Sequence, residues 1–358
     1  MLEVERNQII ESRLKRIADY LVINSSFLPS PGLLNGSMGS VIFLFVYSRR
    51  CGQDMYADYA CELIEKIQKR LHLDTEFSYA NGLAGIGVGL DFLIRNSYIE
   101  ADSDEFLEDF DKRLLDVVGY GLPRGLALER GVLGLCRYFL CRYCENSVKF
   151  SATIEQLALH VRRILETCET DLASYLNAIS ILLDYLAVGV LQEEVSHCIG
   201  LCKNRLASFA IDKGVLSTES LYLLRWQLKE CYTRWGFLEG VSDNAKLPVI
   251  VDPHAFPFTD ISFTPSFHGA SSGSAYLMRQ AHRLFLLTGD NFYRQESGRF
   301  LDITLQEESD GCCGFAFCSE KSTPFLDLRE GLPGVGLSLM GLDSHESVLD
   351  SLLPFPLF

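Results

Sequence analysis

Four times this chain runs from a G-x-x-G motif straight into an apolar stretch, and that recurrence limits the architectures open to it. Asn35-Gly36-Ser37-Met38-Gly39 leads into Val41–Leu44, Asn81-Gly82-Leu83-Ala84-Gly85 into Ile86–Leu90, Arg130-Gly131-Val132-Leu133-Gly134 into Leu135–Phe139, and Glu330-Gly331-Leu332-Pro333-Gly334 into Val335–Leu339. A near-copy is His268-Gly269-Ala270-Ser271-Ser272-Gly273. Gly36 to Gly82 is 46 residues, Gly82 to Gly131 is 49, and Gly131 to Gly269 is 138, three periods of 46. Two worn units therefore belong between them, at Asn177-Ala178-Ile179-Ser180 and Ser217-Thr218-Glu219-Ser220. That makes seven units, the last one longer.

Between the apolar runs lie amphipathic segments. Ile10, Leu14, Ile17 and Leu21 recur at helical spacing, as do Tyr59, Leu63, Ile67 and Leu71. Ser103 reads as the cap of a further segment, from Asp104 to Asp116, whose acidic face is solvated. Strand alternation is nearly absent. An apolar helix must be covered on most sides and an amphipathic one on a single side, so two concentric layers satisfy both. The reading is an all-α chain, an α/α barrel (toroid) of about seven helical pairs. Inner helices are expected to start near residues 36, 82, 131, 178, 218, 270 and 332. The glycines serve close backbone approach at the inner-helix openings.

Composition narrows the function. A formal charge of −15 argues against nucleic acid and anionic membranes and tolerates a basic peptide. The longest apolar run, Val41 to Tyr47, falls far short of the roughly 18–20 residues of a membrane span. The charged start lacks the apolar core of a signal peptide, so the expected setting is cytoplasmic. No composition shift divides the chain, and residues 1–358 read as one domain. Residues 242–265 read as a long loop leading to His268. Of 12 cysteines, Cys61, Cys136, Cys141, Cys198 and Cys202 lie in apolar helical stretches and read as reduced, buried thiols.

With these residues in view the chain resembles the lanthionine-cyclase-like (LanC-like) family. Tyr79–Gly87 and Arg329–Gly336 are similar to its second and seventh repeats, and Phe267-His268-Gly269 falls where the family has Cys-His-Gly. The resemblance spans nearly the whole chain, strongest in repeats one, two, six and seven. It implies closure of thioether rings in ribosomally made peptides. Zinc held by one cysteine of the fifth repeat and the Cys-His pair of the sixth would stabilise a substrate thiolate, which adds to a dehydrated Ser or Thr. This chain departs from that ligand set. Phe267 replaces one cysteine and Val215 the other; Leu176 stands for the fourth repeat's His, and the third repeat's Asp falls near Ala127, two residues before Glu129. His268 alone is retained as candidate metal ligand and catalytic residue.

A cysteine cluster, Cys312, Cys313 and Cys318, precedes the seventh inner helix. It offers thiolates for a zinc site relocated beside His268, although neither spacing is a zinc signature; plain free or buried thiols are the simpler reading, and a redox role is the third. Two lost cysteines favour absence of zinc over a rebuilt site. Two functions follow from the resemblance. One is a thioether cyclase of lanthipeptide type. The other is a catalytically inactive relative that binds a precursor peptide or a partner enzyme. In either, Asn35, Asn81, Arg130 and Glu330 at the helix openings are the candidate ligand face. A carbohydrate-active barrel would need paired carboxylates there, and Glu330 is a single one.

Overall fold

The computed structural model describes residues 3–208, 226–231, 233–234, 273–305, 325–343 and 348–352. Regular structure among them is helical throughout. The helices are α1 (Glu3–Asn24), α2 (Ser37–Cys51), α3 (Met55–Arg70), α4 (Leu83–Arg95), α5 (Ser103–Phe106), α6 (Glu108–Tyr120), α7 (Val132–Glu145), α8 (Ser147–Thr167), α9 (Leu172–Ala187) and α10 (Gln192–Ser208). Helical residues 226–231 and 233–234 (α11) follow, then α12 (Ser274–Thr288), α13 (Asn291–Thr304), α14 (Leu332–Met340) and α15 (Val348–Leu352).

Two kinds of helix alternate. In α2 every residue from Ser37 to Ser48 is buried, whereas α3 buries only Tyr56, Ala60, Leu63, Ile64 and Ile67, one stripe at helical spacing. The uniformly apolar helices form the inner ring. Helix α2 touches α4, α4 touches α7, α7 touches α9, and α12 touches α14, which returns to α2. Between α9 and α12, Arg234 reaches Asp184 and Ser180 of α9, and Glu230 pairs with Arg283 of α12 at 3.0 Å. Outside lie α1 on α14 and α2, α3 on α2, α6 on α4, α8 on α7, α10 on α9 and α13 on α12. One hydrophobic core runs from Ile10 to Leu352.

The G-x-x-G loops repeat one geometry. The first N–H of each helix, at Ser37, Leu83, Val132 and Leu332, donates to the carbonyl seven residues back, on Ser30, Glu76, Gly125 and Phe325, at 2.9–3.0 Å. The first glycine is extended in all four, so its restriction is space and not backbone strain. At Gly82 a Cβ would meet the Glu76 carbonyl and come within 2.7 Å of the Ser78 nitrogen. The second glycine receives the loop of the neighbouring repeat: a Cβ on Gly39 would meet Leu328 Cβ at 2.7 Å, on Gly85 Leu33 Cβ at 3.0 Å, and on Gly134 Tyr79 Cβ at 2.8 Å. This side-by-side stacking explains the period.

Several expectations are corrected. Helix α9 begins at Leu172 rather than near 178, because Asp171 caps it by accepting from Ser174 N at 2.7 Å, so no glycine is needed. Helix α12 begins at Ser274 rather than near 270, with Gly273 in the same extended cap conformation as Gly36, Gly82, Gly131 and Gly331. Asp102, not Ser103, caps α5, and the acidic segment is not a solvated face throughout, since Asp111 is 2% exposed. Cys136, Cys141, Cys198 and Cys202 are buried as expected, but Cys61 is exposed on the outer side of α3. The fifth expected start, near 218, lies outside the described residues.

Candidate functional site

The four loops that open α2, α4, α7 and α14 are stitched together at one end of the ring. Leu328 N donates to Leu34 O (3.0 Å), Leu34 N to Ala80 O (3.0 Å), and Tyr79 N and Ala80 N both donate to Glu129 O (2.9 and 3.2 Å). In repeat register, the residues one before the first glycine are Asn35, Asn81, Arg130 and Glu330. All four therefore fall on the same rim. Asn35 and Arg130 are exposed and Asn81 and Glu330 are half-buried. The Asn81 carboxamide oxygen accepts from Ser30 Oγ at 3.3 Å.

Two residues before the first glycine stand Leu34, Ala80, Glu129 and Arg329, and the two charged ones meet. Arg329 Nη1 lies 2.7 Å from Glu129 Oε1, with both side chains about a quarter to a third exposed (25% and 30%). In sequence Glu129 stands only as a carboxylate two residues from the third repeat's expected Asp, and Arg329 carries no assignment. Their shared register was the available signal. Asp327, in the same loop, accepts from Glu330 N at 2.8 Å, and burial, opposed by backbone hydrogen bonds and Arg329, raises its carboxyl above the ordinary range.

The residues assigned to metal, His268, Cys312, Cys313 and Cys318, and the replaced positions Phe267 and Val215, lie outside the described residues. Among the described residues no group of three or more His, Cys, Asp or Glu side chains is placed to hold a metal ion. Burial pushes Cys136 up to about 12 and Cys198 up to about 11, so both stand as neutral thiols within the helices. Leu176 is buried in α9, and Ala127 is exposed in the third loop.

The far ends of α4 and α7 carry a second polar cluster with a structural role. Arg142, fully buried, reaches Asp111 at 3.0 Å, Asp104 at 2.5 Å and Asp91 at 3.7 Å, while Asp91 pairs with Arg95 at 2.6 Å. Asp111 also accepts from the Tyr138 hydroxyl at 2.7 Å and from Lys149 Nζ at 2.9 Å. Desolvation raises the Asp91 carboxyl despite Arg95 and Arg142, whereas the hydrogen bond from Asn146, then Lys149 and Arg142, lower Asp104.

The class defined here is an α/α toroid whose inner helices open at a common mouth lined by amide and charged side chains. Among solved structures the chain is similar to "Nisin cyclase", with a TM-score of 0.66 and 13% identity, covering 99% of this chain and 98% of that one. The chain thus has the LanC-like fold. No family model matches the sequence. No curated protein matches it. Among the described residues no helix is long and apolar enough to cross a membrane.

Proposed function

We propose that this chain is a LanC-like protein of ribosomal-peptide modification that seats a precursor peptide across the mouth of its toroid. The observation that carries this is the end-to-end likeness to the structure of "Nisin cyclase", over 99% of this chain. The chemistry of the rim supports a peptide ligand. Asn35 and Asn81 offer amide donors and acceptors, Arg130 a cation, and Glu330 and Glu129 anions, spread around one edge. Such a spread suits an extended chain more than one compact molecule. The charge of −15 favours a basic peptide.

On the cyclase reading a peptide Cys thiolate adds to the β-carbon of a dehydrated Ser or Thr and the resulting enolate takes up a proton at its α-carbon; the family resemblance assigns His268 to this chemistry. Zinc, when bound, supplies thiolate stabilisation. Phe267 and Val215 favour the second reading, in which the peptide or a peptide-modifying partner enzyme is bound without chemistry. One experiment separates them. Protein purified without chelator or affinity metal is analysed for zinc and mixed with a basic, Cys-containing peptide carrying dehydrated Ser and Thr. Binding is followed by calorimetry and free thiol by alkylation. Binding with thiol loss, zinc present and both abolished in His268→Ala, supports the cyclase. Binding with the thiol intact supports the inactive relative. Absence of binding overturns the peptide reading.

A further inference from the structure

Helix α15 has no place in the alternation of outer and inner helices. Among the described residues the inner ring ends with α14, and α1 already covers α14 and α2 from outside. Yet α15 packs on both α14 and α4, which are separated in the ring by α2. The outer sides of α2 and α4 are occupied by α1, α3 and α6. An element that bridges α14 and α4 across α2 therefore lies on the concave side, in the lumen. Its Leu349 and Leu352 are both 0% exposed.

The contact that ends α15 comes from the mouth. Tyr79 holds the register position filled by Leu33, Leu128 and Leu328 in the other three loops. Its Cβ packs on Gly134 as Leu33 packs on Gly85 and Leu328 on Gly39, but its hydroxyl reaches further and donates to the carbonyl of Leu352. Burial raises the Tyr79 hydroxyl well above its ordinary value, so it remains a donor at any ordinary pH. A buried phenol with a peptide carbonyl as its partner is a device for holding a main chain. The sequence beyond, Leu353-Pro354-Phe355-Pro356-Leu357-Phe358, is apolar and carries no charge.

We infer that the α4–α14 wall of the lumen, with Tyr79 at its mouth end, is a docking surface for a short apolar peptide segment, and that α15 is its resident occupant. An incoming peptide takes this place by displacing α15 and presenting a carbonyl to Tyr79; this second step rests on the peptide-binding reading above. Occupancy by the chain's own segment lowers the apparent affinity for any competitor by the fraction of time the surface is vacant.

The test uses a chain ending at Asp343 and a fluorescein-labelled peptide of residues 344–358, read by anisotropy. The labelled peptide is expected to bind the shortened chain saturably, at one per chain, and the full chain at least about tenfold more weakly. Tyr79→Phe in the shortened chain is expected to weaken it. Absence of binding to a shortened chain that circular dichroism shows to be helical overturns the inference. Should the shortened chain fail to fold, Tyr79→Phe in the full chain decides by hydrogen exchange: faster exchange at 348–352 with α4 and α14 unchanged supports the assignment, and unchanged exchange at 348–352 overturns it. The dehydrated Cys peptide separates this from the function. If it neither binds nor competes while the 344–358 peptide binds, the docking surface stands and the peptide-modification reading falls. If it binds full and shortened chains equally, the reverse holds.

Discussion

The N–H of Leu328 donates to the carbonyl of Leu34 at 3.0 Å, joining the loop of the last repeat to that of the first. Leu328 Cβ also fills the space that a side chain at Gly39 would need. The seam between the two ends of the toroid is thus built like the seams between consecutive repeats, where Leu33 lies against Gly85 and Tyr79 against Gly134. Closure reuses the repeat contact rather than adding a special one. A chain of solenoid units becomes a ring when its last unit meets its first through the same surface.

Glycine substitutions should therefore divide by site. Gly82→Val is expected to destabilise by about 1–3 kcal/mol, since its Cβ would strike the Glu76 carbonyl and the Ser78 nitrogen, which are backbone and cannot swing aside. Gly200 lies within α10 with nothing within 4 Å of a would-be Cβ, so Gly200→Ala should stabilise by about 0.5–1 kcal/mol. Urea midpoints of the two variants against the parent give the check. Equal and small effects would show that the loops have room.

The period and the layers were legible because both rest on local chemistry. G-x-x-G marks four close approaches, and an all-apolar run differs visibly from a stripe. The start of α9 was not legible as a repeat opening, because Asp171 does by side-chain capping what glycine does elsewhere by yielding space. Asp111 shares a stripe with Leu114 and Val118, so its burial was present in the spacing, but its partner Arg142 lies 31 residues away on another helix. The rim residues Asn35, Asn81, Arg130 and Glu330 followed from register alone. The pairing of Arg329 with Glu129, 200 residues apart, and of Tyr79 with Leu352, 273 apart, depends on ring closure, which no local pattern encodes.

The Arg142 cluster supplies a second prediction. The Asp111 side chain is 3% exposed and that of Arg142 0%, so Asp111→Ala leaves a buried guanidinium short of its main partner and should cost about 3–5 kcal/mol. Asp104 is 44% exposed, and Asp104→Asn should cost less than about 1 kcal/mol. The folded carboxyl of Asp104 is lowered, so its contribution is complete above the unfolded value of about 3.9 and is lost as pH falls through the folded value. Denaturant titrations at pH 7 and pH 3 should show the Asp104→Asn difference shrinking at the lower pH. A difference that grows on acidification contradicts the assignment.

Thiol labelling tests the layers. Cys136, Cys198, Cys202 and Cys231 are buried and their thiols raised by burial, so maleimide at neutral pH should leave all four unmodified in the folded chain. Cys61, Cys144 and Cys168 are exposed and should be modified under the same conditions. Peptide mapping by mass spectrometry before and after urea reads both sets. Native labelling of Cys136, at the centre of inner helix α7, would contradict the inner ring.

The Arg329–Glu129 pair tests whether the mouth is spanned by charge. Glu129 also receives Tyr79 N and Ala80 N at its backbone carbonyl, and that role survives side-chain replacement. A double-mutant cycle of Glu129→Gln and Arg329→Met therefore isolates the ion pair. Half-buried and 2.7 Å long, it should couple the two by about 0.5–1 kcal/mol, falling as salt is added. Each single variant breaks the same contact, Arg329 still facing Glu330 at 3.9 Å when Glu129 is replaced, so the double variant should be less unstable than the sum of the two. Simple additivity at low salt would mean that the two side chains do not meet across the mouth in solution.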